Sequence, residues 1–561
     1  MVYRPVNPKA LNVLNQKYIG LVPKKWSSAK ILAKKFGTST WELAYKFGKR
    51  TTIHGVNRLL SEKSGKLERT IWLCAVVVAL VAAVYVCLIL SKRFNEGKFE
   101  TVVDNTRYPV YRVVFPVITI CNLNRLNWQR LEEAKQRFLP NEKSQEKLKL
   151  FEKIIGTYDD IRFANFDKFD VLAEEPLELL KNINFSLVFE FMTWRCDEML
   201  AFCKWRHFKM NCCEIFSKRR TRSGLCWSFN TLETDEGRRM QRLDPYWPWH
   251  TGAAGPSTGL SLRVLLQPEN NFPNRISERG VSVMVTEPFV WHKDPYIIPE
   301  NTQTTVEIEP IIYFYDNDTR IISSDQRQCV FADERNSLDY KTLQGYVYMI
   351  ENCESQCHQE YLVRYCNCTL DLLFPPGPYT SCKSTDLPCL ALNNEYLRYT
   401  RQPGEEKFVR LFYDAMLCKC YRNCFSLNYF ADVRPSFIPP EVRGNMSYVD
   451  LDVFFRYESM MVYRTRLIFG WVDLLVAFGG IAGLFLGCSL ISAMEIVYFV
   501  FVELPNYLSQ RIRDKLQERR IETNNNLSSN TINHNITQNQ FEEYVLNGRK
   551  QNKFISRPVW N

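Results

Sequence analysis

The stretch from Gly479 to Phe499, GGIAGLFLGCSLISAMEIVYF, is apolar enough for a membrane interior, yet it carries four glycines, two serines and Glu495. It sits within Leu474 to Val502, a run of 29 residues whose only charge is Glu495, long enough to cross a bilayer with tilt or with a break. Gly479, Gly483 and Gly487 recur at every fourth position, the spacing of small residues at a packed helix face. On an ideal helix at ~100° per residue, the glycines occupy an arc of about 100°. Cys488, Ser489, Ser492 and Glu495 occupy another, of about 120°, centred nearly opposite. One face is therefore expected to pack and the other to be wet. A carboxylate in hydrocarbon costs on the order of 2.5–3.5 kcal/mol, so Glu495 belongs beside a cavity or a partner. Two helices cannot enclose an aqueous path, so several copies of the chain are expected to assemble with this face inward. The opposing reading lets Glu495 snorkel to the cytosolic surface without carrying ions.

Working outward, a second apolar run lies at Thr70 to Leu90, TIWLCAVVVALVAAVYVCLIL, 21 residues without a charge. It follows a long basic leader, so it is expected to act as an uncleaved signal anchor rather than a cleaved signal peptide. Residues 1–69 hold 15 Lys and Arg against Glu42, Glu62 and Glu68. That excess places them in the cytosol, and two spans return residues 503–561 to the same side, where Arg511, Arg513, Lys515, Arg519 and Arg520 follow closely. Residues 91–473, with a net charge of −3, then face outward. The basicity of the chain, +11 overall, is thus cytosolic. Attraction to anionic membrane lipid explains it, and a nucleic-acid partner is not expected.

The cysteines bear on this topology independently. Sixteen of 19 lie between Cys121 and Cys424, while Cys74, Cys87 and Cys488 lie in the apolar runs. An even number on one side of a membrane suits an oxidised, disulfide-bonded domain. The sequons at Asn184, Asn317, Asn367 and Asn445 fall in the same region and are glycosylation candidates. Those at Asn526 and Asn535 fall in the Asn-rich tail TNNNLSSNTINHNITQNQ and should stay bare.

Alternation in YRVVFPVITICNLNRL predicts a strand ending at Cys121, and GLSLRVLLQ, GVSVMVTE, TTVEIEPIIYFY and DLDVFFRYES predict further strands. A helical pattern runs through residues 128–160, interrupted at Pro140, and a short amphipathic run spans Trp41 to Phe47. The outer region is accordingly α+β. Enzyme readings find little support. The Gly-x-Ser-x-Gly at Gly255 to Gly259 follows a Pro/Gly-rich loop and precedes a strand, the reverse of a nucleophile elbow. There is no HExxH, only six histidines, and no cofactor is implied. Cys366-Asn-Cys368 and Cys418-Lys-Cys420 read as disulfide partners before metal ligands, and no metal site beyond permeant sodium is expected. His54-Gly55 is an ordinary turn by itself and gains interest from its place shortly before a span.

Taken in order, these residues resemble the degenerin/epithelial sodium channel family, most closely its insect pickpocket branch. His54-Gly55 is similar to the family's His-Gly motif, and FPVITICNLNRL, GLCWSFN and GLSLRVLL are similar to its later signatures. Cys353-x3-Cys357-x8-Cys366-x-Cys368, followed by Cys418-x-Cys420-x3-Cys424, has the spacing of its thumb ladder, and GGIAGLFLGCS resembles its second-span signature. The resemblance implies a trimer, homomeric or with related subunits, whose clenched-hand ectodomain has palm, β-ball, finger, thumb and knuckle elements. It implies a selectivity filter at Gly487, Cys488 and Ser489, where backbone carbonyls replace part of a sodium ion's hydration shell. It implies a re-entrant loop at His54 and Gly55 lining the lower pore with Ser492 and Glu495. It also implies the pairs Cys121–Cys226, Cys329–Cys424, Cys353–Cys420, Cys357–Cys418, Cys366–Cys389 and Cys368–Cys382, and leaves Cys196, Cys203, Cys212 and Cys213 unassigned. The gating and blocker region would span Val476, Ala477, Gly479 and Gly480. There the chain departs from its relatives, which commonly carry a small residue and then an aspartate before the Gly-Gly pair; here the aspartate is Asp473.

The expectation that results is a subunit of a sodium-selective, amiloride-sensitive-type, voltage-independent cation channel. It would pass sodium passively across the plasma membrane in sensory signalling, with both termini cytosolic. The alternative is a non-conducting receptor or auxiliary subunit that needs a related partner to form the pore. A purinergic-type trimer shares the topology but lacks these motifs.

Overall fold

The computed structural model describes residues 42–61, 65–159, 161–273, 279–375, 377–408, 410, 415–514, 516–517 and 520–521. Trp41, Lys515, Arg519 and the Asn-rich tail with its two sequons lie outside the described residues. Two compact units emerge, one from Gly97 to Ile468 and one from the segments before and after it.

Residues 97–468 are built on two sheets and a helical lobe. The larger sheet has eight strands, in the order Phe99–Pro109, Ser459–Leu467, Thr302–Tyr315, Tyr448–Phe455, Leu260–Leu265, Leu200–Trp205 and Phe208–Lys209, with Phe425–Phe437 paired along Thr302–Tyr315. TTVEIEPIIYFY forms the central strand because its alternate residues are apolar, so one face buries Val306, Ile308 and Ile312. Its parallel partners change along its length: Tyr448–Phe455 pairs as far as Ile308 and Ser459–Leu467 from Ile311. Pro310, which has no N–H to give, sits in the gap between them. The second sheet is five-stranded and antiparallel, in the order Phe216–Thr221, Gly224–Phe229, Val117–Asn122, Gly280–Thr286 and Tyr296–Pro299. Phe115, Ile118, Trp205, Phe229, Val264 and Phe455 belong to the main core, which draws on both sheets.

One expected element comes out differently, and one long strand is additional to those expected. DLDVFFRYES forms only Tyr448–Phe455; a separate strand, Ser459–Leu467, follows it before the second apolar run. Phe425–Phe437 alternates over most of its length, FSLNYFADVRPSF, but contains Pro435, which disguises a strand. It tolerates that proline because only Thr302–Tyr315 pairs with it. The helical pattern of residues 128–160 resolves into Leu131–Phe138 and Gln145–Tyr158, with Ser144 capping the latter by accepting from Lys147 N at 3.5 Å. These helices join Phe185–Met192, Ile350–Cys366 and Leu387–Leu392 around a second core.

Eight disulfides staple this unit: Cys121–Cys226, Cys196–Cys213, Cys203–Cys212, Cys329–Cys424, Cys353–Cys420, Cys357–Cys418, Cys366–Cys389 and Cys368–Cys382. Cys74, Cys87 and Cys488 are free thiols. The sequence left the first group of four cysteines open, and the short hairpin they flank decides their pairing.

Glu287 shows how burial tunes this unit. Desolvation, reinforced by neighbouring Glu351, pushes its carboxyl up to about 8, against an opposing hydrogen bond from Leu427 N at 2.9 Å. The folded form therefore holds a proton that the unfolded chain releases from about pH 4.5 upward, so stability is lost as pH rises towards 8. Glu287→Gln should melt progressively higher than the wild type between pH 5 and 9 in thermal unfolding of the solubilised protein. A constant offset across that range would contradict the assignment.

Among its described residues the other unit has two helices long and apolar enough to cross a membrane, Lys66–Asn95 and Leu490–Asp514, together with the shorter apolar helix Trp471–Leu486. Val78, Leu88, Leu475, Leu484 and Leu490 are all exposed on them, which suits hydrocarbon rather than water as the solvent. The first helix runs several residues past Thr70 and Leu90 at its two ends. The second apolar run is not one helix. It breaks at residues 487–489, and a π-helical segment, Phe499–Glu503, lies further on.

Candidate functional site

The break is produced by local chemistry. Gly487 adopts φ +61°, a left-handed conformation that ends Trp471–Leu486, and the Cys488 amide reaches back to the Ala482 carbonyl at 3.1 Å. Ser489 then starts the next helix, Leu490–Tyr498. Its Oγ accepts from the Ser492 amide at 3.3 Å while the Ser492 Oγ accepts from the Ser489 amide at 3.1 Å. Among the described residues nothing hydrogen-bonds the carbonyls of Gly487 and Cys488. The continuous helix on which the two arcs were drawn therefore does not exist across residues 487–489, and angular relations computed through it lapse. Gly479 and Gly480 also meet nothing within 4 Å of where a Cβ would stand, so the glycine face makes no close packing there within one chain.

The break is held by a segment from the other end of the sequence. A helix over residues 42–50 gives way to an extended Thr51-Thr52 and a turn at His54-Gly55, followed by the helix Val56–Leu60. The His54 amide donates to the Leu486 carbonyl at 3.0 Å, taking up one of the acceptors that a helix end leaves unused. A Cβ on Gly487 would fall 2.0 Å from His54 Nδ1, so the imidazole occupies the space that any other residue would need. Gly55 has φ +83°, and a Cβ there would lie 2.7 Å from Val76 on the first long helix.

Thr52 extends the contact. Its hydroxyl lies 2.7 Å from Ser492 Oγ and donates to Glu495 Oε2 at 3.3 Å. Ser492 is only 2% exposed, so its polar face is satisfied inside the protein, whereas Ser489 is exposed and Glu495 half-buried. Phe47 stacks on Phe499 at 4.4 Å, and Glu42 lies 3.7 Å from Arg511. His54, Gly55, Gly487, Cys488, Ser489, Ser492 and Glu495 are thus gathered into one locality. Phe47, the last residue of the amphipathic run, belongs to it too, as does Thr52, which was missed because a threonine in a polar leader gives no periodic or motif signal.

Other expected positions lie apart. Val476 is exposed and Ala477 half-buried on Trp471–Leu486, with Gly479 and Gly480 two turns or more before the break. Asp473 accepts from the Gly470 amide at 2.9 Å and so serves as a helix-start residue. Asn184, Asn317, Asn367 and Asn445 are all exposed, and Asn184 caps Phe185–Met192 by accepting from Leu187 N at 3.3 Å. Ser257 of the Gly-x-Ser-x-Gly stretch lies in the loop before Leu260–Leu265, its amide held by Asp452 at 2.9 Å. No group of three or more potential metal ligands occurs among the described residues.

A family model described as amiloride-sensitive sodium channel matches residues 47–499. Pickpocket protein 19 of Drosophila melanogaster is 27% identical over 475 residues, spanning 83% of this chain and 92% of that protein. Sodium channel protein Nach of Drosophila melanogaster is 26% identical over 488 residues, 82% of this chain and 86% of its own length. Acid-sensing ion channel 4 of Rattus norvegicus is 24% identical over 474 residues, 81% and 78% respectively.

Proposed function

The chain belongs to the amiloride-sensitive sodium channel family, a family of ion channels rather than enzymes, and from that premise we propose that it is a subunit of a sodium-selective, voltage-independent, amiloride-sensitive-type channel of the plasma membrane. Three copies, identical or from related subunits, surround the pore with residues 487–489 inward. Both termini are cytosolic and residues 91–473 face outward, with glycans on Asn184, Asn317 and Asn445. Sodium moves passively and the current serves sensory signalling.

One observation carries this reading: the second apolar run breaks at Gly487-Cys488-Ser489 and leaves the Gly487 and Cys488 carbonyls without a donor among the described residues. In hydrocarbon such carbonyls are tolerated only where they line a cavity or meet a polar ligand. A dehydrating sodium ion is such a ligand. His54 and Gly55 brace the break from the cytosolic side, Glu495 lines the lower pore beneath it, and Ser492, expected there too, is buried and holds Thr52 instead.

Expression alone in oocytes under ion substitution tests the proposal. A sodium current in the homomer is the expected result. Current that appears only with a related subunit would establish obligate hetero-assembly, and none in either condition would overturn conduction. Ser489→Leu should shift the Na⁺/K⁺ permeability ratio or abolish current, since Ser489 is exposed at the break. An unchanged ratio in a conducting channel would remove Ser489 from the filter.

A further inference from the structure

The segment Lys204-Trp205-Arg206-His207-Phe208-Lys209 has no part in the pore, yet it is built with care. It forms a hairpin in which Lys204 pairs with Lys209 and Trp205 with Phe208, leaving Arg206 and His207 as a two-residue turn. Both turn residues have positive φ, 50° and 71°, where Asn-Gly is the favoured pair. Holding two side chains there is unfavourable. The hairpin bears that strain because it is anchored. Trp205 is buried, edge-on to Phe115 at 5.0 Å and stacked with Trp249 at 5.5 Å, and the Cys203–Cys212 and Cys196–Cys213 bridges close its base.

What the anchored hairpin displays is specific. A register shift between Ala201 and Lys204 forms a bulge, with Phe202 at φ 53°, that turns its ring out to 64% exposure. Phe208 is 75% exposed. Lys204, Arg206, His207 and Lys209 are exposed beside them, and none of the three permanent cations forms an ion pair with a described residue. This concentration of positive charge stands within a region, residues 91–473, whose net charge is −3.

We propose that this hairpin docks a sulfated polysaccharide chain. An exposed two-residue turn is a poor seat for a folded partner, and its terminal strand, two residues long, offers little edge for an extended peptide. A sulfated polymer needs neither. It supplies fixed anions for Lys204, Lys209 and the planar guanidinium of Arg206, and apolar sugar-ring faces for the rings of Phe202 and Phe208. The proposal rests on the outward placement of residues 91–473.

The test uses unpermeabilised cells that lack sulfated glycans of their own, expressing the full chain, with fluorescent heparin as the probe and impermeant biotin to quantify surface protein. Heparin should bind, and raised salt should release it. Each Lys or Arg facing an anionic surface is worth a factor of about five, so Lys204→Ala, Arg206→Ala and Lys209→Ala together should weaken binding roughly a hundredfold. Arg206→Asn with His207→Gly, the pair this turn favours, should keep the hairpin and weaken binding about fivefold. Unchanged binding in the triple variant, or equal binding of unsulfated heparosan or polyglutamate, would overturn the proposal. A chain that impermeant biotin does not label would refute the outward topology instead.

Discussion

Gly487→Val should abolish the sodium current while leaving surface protein at near wild-type levels, as read by voltage clamp and impermeant biotin on the same cells. Two independent costs converge on this residue. Its φ of +61° is unfavourable for any residue with a Cβ and most so for a β-branched one. That Cβ would also stand 2.0 Å from His54 Nδ1, so the imidazole must leave and the His54–Leu486 hydrogen bond goes with it. Gly487→Ala should conduct poorly, because the strain of about 1–2 kcal/mol and the same ring displacement remain. His54→Ala alone should be milder. Combining it with Gly487→Ala should recover part of the lost current, since the ring that clashed is gone, and that non-additivity is the signature of direct contact. Purely additive losses would place the His-Gly turn and the break in separate roles.

The second large effect is expected at Cys121–Cys226. The partners are 105 residues apart, and only the bridges within Cys196–Cys213 shorten the enclosed loop, leaving roughly 90 residues to be closed. On the chain-entropy account this bridge is worth about 4–5 kcal/mol, a large share of the 5–15 kcal/mol that usually separates folded from unfolded. Both sulfurs are also buried against Met284, so the double alanine variant loses packing as well. It should fail to reach the cell surface at 37 °C. The partners of the Cys357–Cys418 rung are 61 residues apart, yet Cys353–Cys420 already draws them together. Removing that rung releases only the few residues left between the two bridges, so its loss should cost about 2 kcal/mol less. If the two double variants reach the surface equally, sequence separation does not govern the contribution of these bridges.

What the sequence disclosed followed from how local each signal was. Alternation in GVSVMVTE and TTVEIEPIIYFY needs no partner to be read, and Gly280–Thr286 and Thr302–Tyr315 are strands. The cysteines Cys196, Cys203, Cys212 and Cys213 admit three connectivities, and only a hairpin with an atypical Arg206-His207 turn selects one. Phe425–Phe437 alternates as well, yet Pro435 obscures it, and its pairing along Thr302–Tyr315 is what makes it a strand. The helix break was the least legible feature of the site. Four glycines compete for it in an apolar run, and Gly487 is distinguished by His54, which approaches from hundreds of residues earlier in the chain. Polarity at Cys488, Ser489, Ser492 and Glu495 was visible, but their arrangement depends on backbone that leaves the helix.

That interruption also sets two helix macrodipoles end to end. The run Trp471–Leu486 finishes with partial negative charge and Leu490–Tyr498 begins with partial positive charge, each equivalent to about half an elementary charge. Left bare, the pair would largely cancel. The reciprocal Ser489–Ser492 bonds quench the positive end; at the negative end His54 takes the Leu486 carbonyl, but the adjoining Gly487 and Cys488 carbonyls have no donor among the described residues. The residual field favours cations over anions before any acidic side chain contributes, so charge discrimination should outlast neutralisation of Glu495.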